Sequence, residues 1–229
     1  MRLPVLAAIL ATAAVAAPAS AAVRTFPLGA YDAIEAAGPF TVDVHTGKPT
    51  GARAVGSQKA LDRLEIEIRN RTLYIGTKRG MSGFWGDDLG KVTITVGAGK
   101  LEAAALTGSG DLTIDHVTGP TFDLALRGSG SASLPHVATG KLGLALTGSG
   151  DATLAGRAET VAINLRGSGD IGAKRLMTRT AAISLMGSGD IDLGASGSAV
   201  VNLMGSGDVT INGGARCTVN RKGSGEVHC

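Results

Sequence analysis

Aromatic side chains make up only 3% of this 229-residue chain, which leaves it few rings on which bases could stack. Its 22 Lys and Arg residues are scattered and nearly balanced by 19 Asp and Glu. A basic stripe interleaved with aromatics is therefore missing, and nucleic acid is excluded as a partner. Beyond the opening segment no window holds the roughly 18 apolar residues that a membrane-spanning helix needs. Nothing resembles a linker, so one domain is the simplest count.

The opening, MRLPVLAAILATAAVAAPASAAV, has one positive charge at Arg2, a short apolar Ala/Leu-rich stretch and the small-residue run Ala19-Ser20-Ala21. It reads as a secretory signal over residues 1–21, cleaved after Ala21, which predicts a periplasmic or secreted protein. No Cys stands at the cleavage point, so N-terminal lipid attachment is not indicated. Cleavage removes Arg2 and no acid, leaving 21 basic against 19 acidic residues. That balance favours no class of charged partner.

What the chain does have is glycine, 35 residues of it. Gly-Ser-Gly triplets begin at Gly108, Gly128, Gly148, Gly167, Gly187, Gly205 and Gly223, at intervals of 18 to 20 residues. So regular a repeat is one structural unit stacked on itself. Around each triplet the apolar residues keep a two-residue period. Four residues before the first Gly stand Ala104, Leu124, Leu144, Ile163, Ile183, Val201 and Val219; two before stand Leu106, Leu126, Leu146, Leu165, Leu185 and Leu203, with Arg221 closing the series. Leu112, Ala132, Ala152, Ile171, Ile191, Val209 and Val227 follow at plus four, and Ile114, Leu134, Leu154, Ala173, Leu193 and Ile211 at plus six. Such alternation is strand rather than helix.

Residues between these rows, such as Asn164, Ser184, Thr153 and Thr210, are polar and face water. No single strand could bury its apolar row alone, but coils stacked about 4.8 Å apart build continuous inward ladders. The fold class is all-β, a parallel β-helix (solenoid) with 18–20-residue coils. Residues 22–229 form it, 101–229 as regular repeats and 22–100 as irregular first coils and a cap. The period points Gly108 and Gly110 inward, so each triplet reads as a corner where Cβ has no room. A phosphate-cradling loop is excluded, because no Lys follows in the P-loop arrangement and no helical pattern follows the triplets.

Cys217 lies six residues before Gly223 and Cys229 six after it, both on inward phases. In an oxidising compartment this reads as a disulfide closing the last coil, with a metal or redox pair as the alternative.

The G-S-G-D units at about 20-residue spacing, together with the opening Tyr31-Asp32-Ala33-Ile34-Glu35-Ala36-Ala37-Gly38-Pro39-Phe40, resemble the head GIN domain family of auto-transporter adhesins from bacterial envelopes. The likeness covers nearly the whole chain after the signal. It implies a right-handed, single-stranded parallel β-helix and an adhesive surface role. No translocator barrel follows Cys229, so self-transport is not expected.

The residues after the triplets, Asp111, Ser131, Asp151, Asp170, Asp190, Asp208 and Glu226, stack into an acidic ladder. Carboxylates about 4.8 Å apart repel by on the order of 1 kcal/mol even in water, and something must offset this. Turn N–H donors, with Arg166 and Lys222 near in phase, are one answer; divalent cations such as Ca²⁺ are another. Parallel β-helices also host polysaccharide-active enzymes, but acid/base catalysis needs carboxyls with unlike environments. No coil breaks the pattern with clustered Asp, Lys, Arg and His. The reading assigns no catalytic residue, no metal ligand and no cofactor.

His116 and His136 share one phase and stack across adjacent coils, with no third ligand in line. Met186 and Met204 form an outward pair. One loop departs from the repeat: Lys78, Arg79, Phe84 and Trp85 lie in a Gly-rich segment that serves either as ligand-binding loop or as cap. The outward rows mix Thr with Asp, Gly and Asn, which speaks against ice binding. The sequence thus predicts a non-catalytic envelope module whose partner is an envelope polysaccharide or a surface protein.

Overall fold

The structure is a computed structural model that describes residues 21–78, 80 and 90–229. It is almost all-β, with stacked parallel coils in a solenoid of about six turns. The N-terminal part comprises β1 (Ala22–Pro27), β2 (Ala33–Ala37), β3 (Thr41–Thr46), β4 (Gly51–Gly56), α1 (Gln58–Arg63), β5 (Leu64–Arg69), β6 (Thr72–Thr77) and β7 (Thr93–Ala98). The regular coils follow as β8 (Ala103–Gly108), β9 (Asp111–Ile114), β10 (Val117–Gly128), β11 (Ser131–Gly148), β12 (Ala152–Gly167), β13 (Ile171–Gly187) and β14 (Ile191–Gly205). β15 (Val209–Asn212), β16 (Arg216–Gly223) and β17 (Val227–His228) complete the last turn.

Register carries the repeat into three dimensions. Leu126 pairs with Leu146, Leu146 with Leu165, Leu165 with Leu185 and Leu185 with Leu203, so one leucine stands above the next. All four inward rows are buried through Leu203 and Ile211. Each leucine so buried contributes on the order of 2 kcal/mol of hydrophobic stabilisation. The rows fail only at the open end, where Val219 is 45% exposed and Arg221 turns out to donate to the Gly225 carbonyl.

Register shifts fall between Leu134 and Val137, Thr153 and Ala155, and Ala173 and Met177, all on the side away from the triplets. The triplet corner is therefore invariant, and the opposite bend absorbs the difference between 18- and 20-residue coils.

Stack order differs from chain order at the N-terminal end. β2 lies between β6 and β8, and β3 between β7 and β9. The chain enters through β1, lays down the β2–β3 coil, leaves through β4, which runs antiparallel to both β1 and β7, and returns beneath with β6 and β7. In the β2–β3 coil Gly38, with φ 138°, takes the triplet's place, so the family-like opening is a degenerate corner. β5 and β6 form a hairpin whose two loop residues, Asn70 and Arg71, have φ of 49° and 64°, the conformation of a two-residue type I′ turn. The short helix α1 has no counterpart in the repeat. Ser57 caps it by accepting from the Ala60 N–H at 3.2 Å and Ala60 and Leu61 are buried. Arg24 of β1 ties it down through the Leu61 carbonyl at 2.7 Å and the Asp62 carboxylate at 2.6 Å.

Candidate functional site

Three outward features of the coils carry polar chemistry. The first is the triplet corner. Gly167 has φ 136°, and an added Cβ there would press on the Gly148 carbonyl oxygen one coil below. Gly169 is buried and meets Gly150 in the same way. The first glycine of each triplet is not buried, unlike the inward placement its period suggests. Positive φ and close approach between coils require it instead.

The acids after the triplets are held by the backbone of the next coil. Asp151 accepts from the Asp170 N–H at 3.0 Å, Asp170 from the Asp190 N–H at 2.8 Å, Asp190 from the Asp208 N–H at 2.7 Å and Asp208 from the Glu226 N–H at 2.7 Å. Each aspartate so takes up one amide left over by the corner, which offsets part of the repulsion along the row. A shallow groove of about 330 Å³ runs beside it, lined by Asp170, Asp190, Asp192 and Asp208. Among the described residues no three His, Cys, Asp or Glu side chains converge as metal ligands.

The second feature is a corner where Asp115 gathers three of the four histidines. Its carboxylate accepts from the Thr46 N–H and hydroxyl, both at 2.9 Å, and from the His116 N–H at 2.7 Å, and lies 3.2 Å from His45 Nδ1. Burial alone would raise its pKa, but the hydrogen bonds from Thr46, His45 and His116 outweigh this and hold it at about 2. His136 Nδ1 lies 3.1 Å from the Asp115 carbonyl, and the His116 and His136 rings stack with centroids 4.7 Å apart. The shared phase of these two histidines shows in the sequence. His45 and Asp115 do not, because they meet only through the altered stack order of β3 and β9.

The third is an open groove of about 420 Å³ on the bend opposite the triplets. It crosses four successive coils, from Thr139 through Arg157 and Glu159 to Met177 and Arg179, and ends at Ser196. Thr139 and Thr178 are buried and donate to the carbonyls of Lys141 and Glu159. Met177 is 57% exposed. The sequence hides this groove because the coils slip register here and its residues follow no repeat.

A family model described as putative auto-transporter adhesin, head GIN domain, matches residues 30–215. The chain belongs to this family. Among solved structures, this GIN domain is similar to a putative adhesin from Bacteroides fragilis, with TM-score 0.86 and 22% identity over 91% of this chain and 96% of that one. A putative lipid binding protein from Parabacteroides distasonis superposes with TM-score 0.72 at 20% identity, covering 92% and 97%. A putative adhesin from Parabacteroides merdae does so with TM-score 0.68 at 17%, covering 92% and 96%. These likenesses concern the fold. No curated protein matches the chain by sequence.

Of the residues singled out in the sequence, Cys217 and Cys229 form a disulfide with Cα atoms 6.4 Å apart. Lys78 donates to the Asp62 carbonyl at 2.6 Å, beside the α1 cap. Arg79, Phe84 and Trp85 lie outside the described residues, as does the expected signal up to Ser20. Among the described residues no helix of the GIN domain is long and apolar enough to cross a membrane.

Proposed function

We propose that this GIN domain is a non-catalytic module of the cell envelope, exported with cleavage after Ala21, that binds a surface polysaccharide. The observation that carries this is the four-coil groove. Three coil spacings give it a length of about 14 Å, enough for several sugar residues of a repeating chain. Arg157 and Arg179 supply planar donors, Glu159 an acceptor, and the thioether of Met177 an apolar patch. Membership of an adhesin family supports the same reading. The ladder from Asp151 to Asp208 offers four similar carboxylates, each bound to a backbone amide, rather than an acid and a base set apart.

Isothermal titration of the oxidised protein with a panel of bacterial envelope polysaccharides tests the proposal. Saturable binding that falls at least tenfold in Arg157→Ala/Arg179→Ala is expected. Binding lost in Trp85→Ala but kept in the double variant moves the site to the aromatic loop. Because one neighbour is described as lipid binding, anionic phospholipid vesicles form a second arm; capture by vesicles without polysaccharide binding overturns the glycan reading.

A further inference from the structure

The near balance of charge along the chain is not kept in space. In the coils the acids gather after the triplets, where Asp151, Asp170, Asp190 and Asp208 follow one another. The bend opposite gathers cations. Over residues 136–141, 155–160 and 174–180 of three successive coils stand Lys141, Arg157, Lys174, Arg175 and Arg179, all exposed, against the single carboxylate of Glu159. Residues 194–199 of the next coil carry no charge. Among the described residues none of these five cations stands in an ion pair, which leaves their donors to water or to a ligand. Register brings the arginines together. Arg157 pairs with Met177, and Arg175 and Arg179 stand two residues to either side of Met177 on its own coil. Three arginines on coils about 4.8 Å apart thus flank one exposed thioether.

Building on the polysaccharide reading of the four-coil groove, we infer that its ligand is an anionic glycan, one that carries carboxylate or phosphate groups along its chain. A cleft whose charge is of one sign concentrates ligands of the other. Arg157 and Arg179 line the groove, and the guanidinium fork matches carboxylate and phosphate oxygens two at a time. Arg175 extends the same patch along its coil, and Lys141 and Lys174 add point charges beside it. Glu159 is the one group of the bend that repels an anion. For a neutral glycan it would be an acceptor for sugar hydroxyls, so the two ligand classes assign it opposite effects. A lipid surface fits less well, because Met177 is the one large exposed hydrophobic side chain in the groove and membrane docking needs an apolar face to insert.

The test titrates the full oxidised protein by calorimetry with four probes: alginate, the same polymer with its carboxyl groups reduced to alcohols, a phosphodiester-linked teichoic polymer, and dextran. Saturable binding of alginate or of the teichoic polymer is expected, at least tenfold tighter than that of the reduced polymer and dextran, and weakening as salt screens the charges. Glu159→Gln should strengthen binding of the anionic probe by about two- to fivefold and Arg175→Ala should weaken it by a similar factor. Lys222→Ala, which removes a cation beside the triplets, should leave it unchanged. Thermal melts show that each variant is folded. Equal affinity for alginate, its reduced form and dextran, or weaker binding in Glu159→Gln, would overturn the anionic class and leave the groove as a site for neutral glycan. A loss in Lys222→Ala as large as that in Arg175→Ala would overturn the inference too, by showing attraction to the whole molecule rather than to the bend. Binding of none of the four probes, together with none of the wider polysaccharide panel, would end the polysaccharide reading itself.

Discussion

An alanine at Gly167 would push its Cβ into the Gly148 carbonyl at a backbone φ of 136°. Gly172, in the same coil and the following strand, has ordinary contact distances of 3.9 and 4.0 Å to its neighbours. The two sites therefore respond in opposite directions. Gly167→Ala should destabilise the fold by on the order of 3 kcal/mol through overpacking and strain. Gly172→Ala should be neutral or stabilising by about 0.5 kcal/mol, because it restricts the unfolded chain. Urea denaturation of both variants measures the contrast, and equal effects would show that the corner is not a backbone-to-backbone contact. The acidic row makes a second residue-scale prediction. Asp190→Ala strips the acceptor from the Asp208 N–H and should cost about 1 kcal/mol. Asp190→Asn keeps an acceptor and removes a like charge, so its stability should match or exceed that of the wild type. If Asn is as damaging as Ala, charge rather than hydrogen bonding is what the row requires.

At the scale of elements, the open end is where the stack is weakest. Among the described residues β16 pairs with β14 alone and β17 with β15 alone, and the row of inward leucines ends there in Arg221. The Cys217–Cys229 disulfide compensates by closing the last coil over a separation of 12 residues, a constraint worth about 3 kcal/mol in the chain-entropy model. Cys229→Ser should speed hydrogen exchange across Arg216–Gly223 while β11–β13 keep their protection, and should lower the melting temperature. Identical exchange in oxidised wild type and variant would remove the staple from the account.

These coils were legible in the sequence because each inward residue keeps its phase to a fixed corner, so Leu165 and Leu185 announce their own stacking. α1 and the antiparallel strands were not, since Ser57 and Gln58–Arg63 belong to no repeat and their packing on β1, through Arg24, is long-range. The groove was hidden for a related reason: Arg157 and Arg179 sit on the bend where coil length varies. Half of the histidine corner was visible, in His116 and His136. The other half needed the β3–β9 stacking that brings His45 to Asp115.

Taken as a whole, the molecule is a column with one strict corner, one variable bend and two unlike ends. At one end β1, β4, β5 and α1 interrupt the parallel pattern; at the other a disulfide and an inward-row arginine do so, which limits edge-to-edge growth. Its polar features are arrayed along the axis, and their spacing is that of the coils. The measurement that tests this most directly is pulsed electron–electron distance spectroscopy between nitroxide labels placed in one outward column. Thr113, Ser133, Thr153, Gly172, Asp192 and Thr210 occupy that column in successive coils. Labels at Thr113 and Thr210 are separated by five coil spacings, about 24 Å, and labels at Thr153 and Thr210 by three, about 14 Å. Two narrow distributions whose centres differ by about 10 Å are predicted. Equal distances for the two pairs, or broad distributions without that step, would contradict the stacked-coil account.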